Sequence, residues 1–539
     1  MKIDKSNIED IVALSSTQEG ILYHHLKDVR SNKYFEQFSL TLNGKLDKEL
    51  FEEAWNYVVK NNEALRTVFR WKKLKQPIQV ILKEKEIKKE YYDLSNTQNQ
   101  TNELENIKEE NRLTNKIDLT ENPFKVTLCK LNDVKYEMII DNHHIILDGW
   151  SNGILLAEFS KAYDYIANDK IPEFPLKLKT KEYIKWINNQ KDKSTSYWEN
   201  YLKEYKSQEI NYGSKDENDL NQSNKVSSFW TLDEVQSLKN IASKLNITLA
   251  NFINTAWGIL LQKLTNNQDV IFGTTVSGRN VPLLNIENSV GLFINTLPMR
   301  FNFSGDERLI DCLRKVQDSS LERQEFENIS LLDIKKVFNL NASEELLESI
   351  VVYENYPIDK YLKDNSTFSI NKIDSKALTN YNLTLVVHEN PFNIEILFNK
   401  QKYCHKDIES ILNFLKTIML YMVDNVEKNI NEVNLVNDYE REILLDLTNK
   451  RSVNFPKDKM IHTLFEQQVK KKPDNIAVVL NDEWLTYDEL NRKSNQLART
   501  LREHGVKKGE LVGVMTDRSL EMIISMLAVL KAGGAYVPI

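Results

Sequence analysis

A mixed α/β fold is what this sequence predicts, and three observations predict it. Short runs rich in β-branched and aromatic residues alternate with longer runs whose apolar residues recur every three or four positions, as strands interleaved with helices do. Hydrophobic residues make up 41% of the 539 positions and charged residues 28%, enough apolar surface for several cores and too balanced a composition for a disordered or fibrous chain. A formal charge of −7 gives no basic field, so nucleic acid is not an expected partner. The longest apolar stretch, Met522 to Leu530, is broken by Ser525 and falls short of the roughly eighteen residues a membrane span needs. Residues Met1 to Asp10 are charged and lack the apolar core of a signal peptide, and a cytoplasmic location is expected. Cys129, Cys312 and Cys404 stand far apart, at no disulfide or metal-ligand spacing, and read as buried or incidental thiols.

The elements follow in order. Two polar, Asn/Lys/Glu-rich stretches, 83–116 and 203–227, read as solvated connections. Tyr136–Asp141 has strand composition, and a helix is expected after Gly149, with Leu155, Phe159, Ala162 and Ile166 on one stripe. A second helix is marked over 248–264, where Thr248 can cap it and Leu249, Ile253, Ala256, Leu260 and Leu264 recur at helical spacing. Val270–Val276 and Ser349–Tyr353 are further strand candidates. From 433 the chain carries Asn434, Asn437, Asn449, Asn454 and Pro456, and residues 433–457 read as a linker between domains.

Among eight histidines there are two adjacent pairs. His24-His25 has no acidic residue at a short fixed spacing and reads as a surface or packing pair. His143-His144 closes the apolar strand and is followed by Ile145-Ile146-Leu147-Asp148-Gly149-Trp150. Neighbouring side chains of an extended segment point to opposite faces, so only one of the two can address a given site and the pair cannot hold one metal ion. Gly149 is expected to give the sharp turn into the next helix, a junction of the kind that presents catalytic groups. A structural pair and a general base both remain open, since an imidazole titrates near neutrality and can take a proton from a nucleophile.

His143-His144-Ile145-Ile146-Leu147-Asp148-Gly149 resembles the His-His-x-x-x-Asp-Gly signature of the condensation domains of nonribosomal peptide synthetases. Other segments resemble that family's motifs in the same order. They are Leu14-Ser15-Ser16-Thr17-Gln18-Glu19-Gly20, Glu63-Ala64-Leu65-Arg66-Thr67-Val68-Phe69, Tyr183-Ile184-Lys185-Trp186 with Tyr197-Trp198, and Val290-Gly291-Leu292-Phe293-Ile294-Asn295-Thr296-Leu297-Pro298. Glu354-Asn355-Tyr356-Pro357 and Asn380-Tyr381-Asn382-Leu383 look like late motifs. The second motif departs from the family, with Asn61-Asn62 where Arg-His is usual. Further on, Leu485-Thr486-Tyr487-Asp488-Glu489-Leu490 and Leu530-Lys531-Ala532-Gly533-Gly534-Ala535-Tyr536-Val537-Pro538 resemble the first two motifs of adenylation domains.

The resemblance implies two chloramphenicol-acetyltransferase-like lobes, 1–178 and 179–432, around a tunnel, and then, past the linker, the N-terminal part of an adenylation domain over 458–539. It implies amide formation: the amine of an acceptor aminoacyl thioester attacks a donor thioester, each carried on the phosphopantetheine arm of a carrier protein. No covalently bound cofactor, no metal and no complete ATP site are expected, because the loop that would cradle the phosphates is missing. His144 is the implied active-site residue, with His143, Asp148 and Gly149 in support. Asp148 is expected to pair with a buried arginine, for which Arg66 is the candidate, while Gln18, Trp150 and Asn295 are candidates for lining the tunnel or packing beside it. The donor carrier is expected on another polypeptide, with Met1 to Val12 as its docking acceptor, and the acceptor carrier downstream. An epimerisation domain shares the signature, but the adenylation start that follows favours condensation. A heterocyclisation domain has aspartates in place of both histidines, and a non-catalytic docking platform typically loses a signature residue.

Overall fold

The computed structural model describes residues 4–27, 34–113, 117–206, 210, 212–213, 224–338, 345–354, 367–376, 381–436, 441–443, 445–446 and 456–539, with 371–376 as backbone only. The late-motif residues 355–357 and 380 lie outside them. The chain forms two compact units, Met1–Asn437 and Asp438–Ile539.

In the first unit the elements up to the histidine signature are β1 (Ile8–Ala13), α1 (Ser16–Lys27), β2 (Phe35–Asn43), α2 (Lys48–Asn61), β3 (Thr67–Arg70), β4 (Ile78–Leu82), β5 (Lys88–Asp93), α3 (Gln100–Leu113), β6 (Phe124–Asn132) and β7 (Lys135–His143). The chain continues through α4 (Gly149–Ala167), α5 (Thr180–Tyr201), β8 (Lys225–Ser228), α6 (Leu232–Lys244), α7 (Leu249–Thr265), β9 (Asp269–Val276), β10 (Asn295–Asn302), α8 (Leu309–Arg323), α9 (Leu331–Val337), β11 (Ser349–Glu354), β12 (Ser369–Lys376), β13 (Leu383–Glu389), β14 (Phe392–Phe398) and α10 (His405–Asp424). Among the described residues of this unit three sheets result: β1-β4-β3, the five-stranded β12-β2-β7-β6-β5 and the six-stranded β10-β9-β11-β13-β14-β8. Strand β12, from the second half of the chain, completes the first half's sheet by pairing antiparallel with β2.

Each large sheet has its own core. On the first, α2 and α4 supply Phe51, Trp55 and Phe159, with the Trp55 and Phe159 rings stacked at 5.0 Å. On the second, α7 is buried on nearly every side from Asn251 to Gln262. Thr248 caps this helix by accepting from the Asn251 N–H, as its sequence predicts. Alternation along β7 sorts its side chains: Tyr136, Met138 and Ile140 enter the α2/α4 core, whereas Ile139 packs with Ile107 of α3 on the other face.

One expectation is corrected here. The stretch 83–116 is not merely a solvated connection. It holds β5 and α3, and α3 buries Ile107, Lys108 and Asn111. Lys108 lies 3.2 Å from Glu137, and Asn111 and Gln37 each donate to Asp141 at 2.8 Å. In this buried network desolvation lifts the Asp141 carboxyl to about 6, against the hydrogen bonds that hold it down. Of 203–227, Ile210 and Tyr212 pack on the second core, β8 begins at Lys225, and most of the remainder lies outside the described residues. In its described part the segment Met1 to Val12 is tied into the fold: β1 pairs with β4, and Glu9 meets Arg66 at 2.6 Å and Lys179 at 2.9 Å.

The second unit contains α11 (Ile461–Lys471), β15 (Ile476–Leu480), β16 (Glu483–Thr486), α12 (Tyr487–Glu503), β17 (Leu511–Val514), α13 (Leu520–Ala532) and β18 (Ala535–Pro538). Thr486 and Glu489 form a capping box at the start of α12, within the first adenylation-like motif. No described helix is long and apolar enough to cross a membrane.

Candidate active site at the end of strand β7

The two histidines separate as the pleat requires. His143, the last residue of β7, is buried, and its Nδ1 accepts from the Ile145 N–H at 3.2 Å. The ring proton is therefore on Nε2, which donates to Nδ1 of His25 at 3.2 Å. Burial above all, then the neighbouring His25 and His144, push the His143 pKa well below the ordinary histidine value, so it is a neutral, structural ring. His144 faces a cavity instead. Its backbone N–H donates to Tyr34 O at 2.8 Å. Its Nδ1 donates to the Leu147 carbonyl at 2.8 Å, since a carbonyl only accepts, and in the neutral ring this leaves Nε2 with its lone pair. Oε1 of Glu36 lies 3.5 Å from the same Nδ1.

Asp148 is the N-cap of α4. Its Oδ1 accepts from the Ser151 N–H at 2.9 Å and the Ser151 hydroxyl at 2.8 Å, and its Oδ2 from the N–H groups of Phe293 and Ile294 at 3.0 and 3.2 Å. Its partner is not Arg66. Arg279 Nη2 lies 3.1 Å from Oδ1, with both side chains almost wholly buried, and the guanidinium sits 4.4 Å over the Phe293 ring. Arg66 is held elsewhere, by Glu9 and the Leu82 carbonyl. Its place just before β3 orients it toward β1 and β4, away from the signature. Gly149 is likewise corrected: it is the first residue of α4, and the turn falls earlier, over 144–146, where the Ile146 N–H donates to the His143 carbonyl at 3.1 Å. The glycine that a close approach requires is Gly278, at φ +64°, where a Cβ would collide with the Phe293 carbonyl.

The cavity that holds His144 has a volume of about 280 Å³ and is also lined by Glu36, Leu292, Asn295 and Glu354. A second, of about 340 Å³, includes Gln18, Arg66, Leu292 and Phe293 but not His144. A small void of about 20 Å³ shares Ser15, Tyr183, Leu292 and Phe293 with the second cavity and Ser16, Thr17, Leu292, Asn295 and Ser330 with the first. The three follow one another around Leu292. Gln18 also donates to Ile145 O at 3.1 Å, and Asn295 to Glu327 O at 2.8 Å, so each braces the wall it lines. Trp150 lines none of these cavities and stands 5.8 Å from the Arg279 guanidinium, which makes it a packing residue. The departure at Asn61-Asn62 is absorbed locally, since both amides and Lys177 bind the buried Glu158.

Sequence reasoning missed His25, Arg279 and Glu36. The usable signals were slight: His25 belonged to the pair read as surface or packing, and Arg279 follows a Ser-Gly turn after a predicted strand.

Residues 8–445 match the Condensation domain family, and residues 465–539 match the AMP-binding enzyme family. Bacitracin synthase 3 of Bacillus licheniformis is 33% identical over 542 residues, which are 99% of this chain and 8% of that protein. Gramicidin S synthase 2 of Brevibacillus brevis is 35% identical over 552 residues, 99% of this chain and 12% of that one. The chain thus spans about a tenth of the length of these relatives. A four-domain nonribosomal peptide synthetase bound to AMP and glycine superposes with a TM-score of 0.70 at 18% identity, over 100% of this chain and 42% of that one. The first condensation domain of the calcium-dependent antibiotic synthetase superposes with a TM-score of 0.65 at 15% identity, covering 80% of this chain and 100% of that one. With the signature histidine on a cavity wall and the family match running from Ile8 past the end of the first unit to Leu445, the chain belongs to the condensation-domain family of nonribosomal peptide synthetases, followed by the opening part of an AMP-binding domain.

Proposed function

We propose that the chain joins two thioester-bound substrates through an amide bond, the amine of the acceptor attacking the carbonyl of the donor, with phosphopantetheine arms of two carrier proteins bringing them from opposite ends of the cavity series. The observation that carries this reading is the His144 ring, fixed through Nδ1 and offering a bare Nε2 to a cavity. A ring held in that tautomer can take a proton from the attacking nitrogen and return it to the departing sulfur. Alignment of two tethered substrates would supply much of the acceleration, since well-oriented reactions reach effective molarities of about 10⁵ M and more. In this reading residues 1–178 and 179–432 are the two lobes, 433–457 the linker, and 458–539 the start of the adenylation domain. Asp148, Arg279 and His143 hold the signature in place, and Gln18 and Asn295 shape the path.

The test is reconstitution of the chain with one carrier loaded with a donor aminoacyl group and another loaded with an acceptor. Intact-mass analysis is expected to find the dipeptidyl group on the acceptor carrier. Binding of both carriers without transfer, across a panel of donors and acceptors, would instead make the domain a docking platform.

A further inference from the structure

We propose that Glu36 is a positioning residue for His144, standing beside the Nδ1–H that the Leu147 carbonyl holds and matching the positive charge that appears on the ring during the reaction. The inference rests on His144 taking the amine's proton, as proposed above.

Glu36 is the second residue of β2 and stands opposite Asn142 in the antiparallel register, one pair in from Phe35 and His143. That register delivers its carboxyl to the ring, with Oε1 3.5 Å from Nδ1, and both residues line the same cavity. The Glu36 side chain is only 13% exposed, and its Oε2 is buried with no hydrogen-bond partner among the described residues. The Asn142 side chain favours the carboxylate without reaching ordinary hydrogen-bond geometry, and its amide has no other partner among the described residues. A buried carboxyl oxygen left unsatisfied costs free energy that an apolar residue here would avoid. Burial is the main influence raising the Glu36 carboxyl above its ordinary range, and Asp148 and Glu354 add to it, while His144 acts in the opposite sense. Of those neighbours, Asp148 is matched by Arg279 and Glu354 by His388. Among the described residues, His144 is the titratable neighbour that favours the Glu36 carboxylate.

In the reaction the nitrogen lone pair of the amine bonds to the thioester carbonyl carbon, and the amine proton passes to Nε2. The ring then bears two protons and one positive charge, with Nδ1–H between the Leu147 carbonyl and Glu36. When the carbon–sulfur bond breaks, sulfur takes the proton from Nε2 and the ring is neutral again. A carboxylate beside Nδ1 favours the intermediate cation.

Glu36→Gln tests this in the reconstituted reaction. The amide is expected to lower kcat about tenfold, a modest share of what proton transfer usually contributes, with KM for both loaded carriers little changed. It is also expected to move the acidic limb of the rate–pH profile to lower pH, because the imidazolium loses its anionic neighbour. In a His144→Ala background Glu36→Gln is expected to add no further loss. An unchanged kcat and profile, or the same further loss without His144, overturns the proposal. A fully active His144→Ala protein overturns the proposed function itself, a separate result. Should Glu36→Gln fail to fold, Glu36→Asp carries the test: withdrawing the carboxyl by one methylene is expected to lower kcat at constant KM, and an unchanged kcat overturns the role.

Discussion

His143 and His144 are neighbours that face apart, and a hydrogen bond to His25 holds the buried His143 ring. The Nε2–H of His143 has one acceptor, His25. His25→Ala removes it, and leaving a buried donor unsatisfied typically costs about 1–3 kcal/mol; urea unfolding is expected to show a loss of that order. Because folding depresses the His143 pKa, its contribution to stability is complete above the ordinary histidine value and is lost as pH falls below it. Stability should therefore fall between pH 7 and 5 by up to about 1.4 kcal/mol per pH unit from this group. Unfolding of the wild type and His143→Gln at both pH values checks it, with a smaller acid loss expected in the variant. The histidine pair was legible because adjacent residues on a strand must face apart. Arg279 was not, because its pairing with Asp148 spans 131 residues and nothing in local spacing selects it over another arginine.

Among the elements, strands and helices with apolar stripes were readable: β7, β9, β11, α4 and α7 stand where composition and period place them. Helix α3 was misread because much of what it buries is polar. Lys108 and Asn111 answer Glu137, Asp141 and Lys125, so its inner face carries no hydrophobic period. Side chains also tie strands of the second sheet. His388 on β13 bridges Glu354 of β11 at 3.1 Å and Glu395 of β14 at 3.3 Å. Hydrogen bonds to these carboxylates raise its pKa to about 9. The folded protein holds this proton more tightly than the unfolded chain. The stabilisation is thus complete below the ordinary value and fades as pH rises through about 9. Thermal unfolding of His388→Ala is expected to show a larger deficit at pH 6 than at pH 9.5, and equal deficits would contradict the bridge.

For the first unit as a whole, Asp148 is the point where the helix after the signature is fastened to the 289–294 loop, through Arg279, Ser151 and two backbone N–H groups. Asp148→Ala leaves Arg279 buried without its anion and commonly such a loss costs about 3–5 kcal/mol, so that variant should be unstable as well as inactive. Arg66→Ala should instead loosen the contact of β1 with its neighbours and leave the signature in register. The central claim is that His144 does chemistry in a scaffold that does not need it. The most direct measurement is the single-turnover rate of amide formation by His144→Ala, paired with its thermal unfolding. We predict a rate lower by about 10²–10⁴-fold with a melting temperature close to that of the wild type; a folded His144→Ala protein that forms the amide at the wild-type rate would contradict the account.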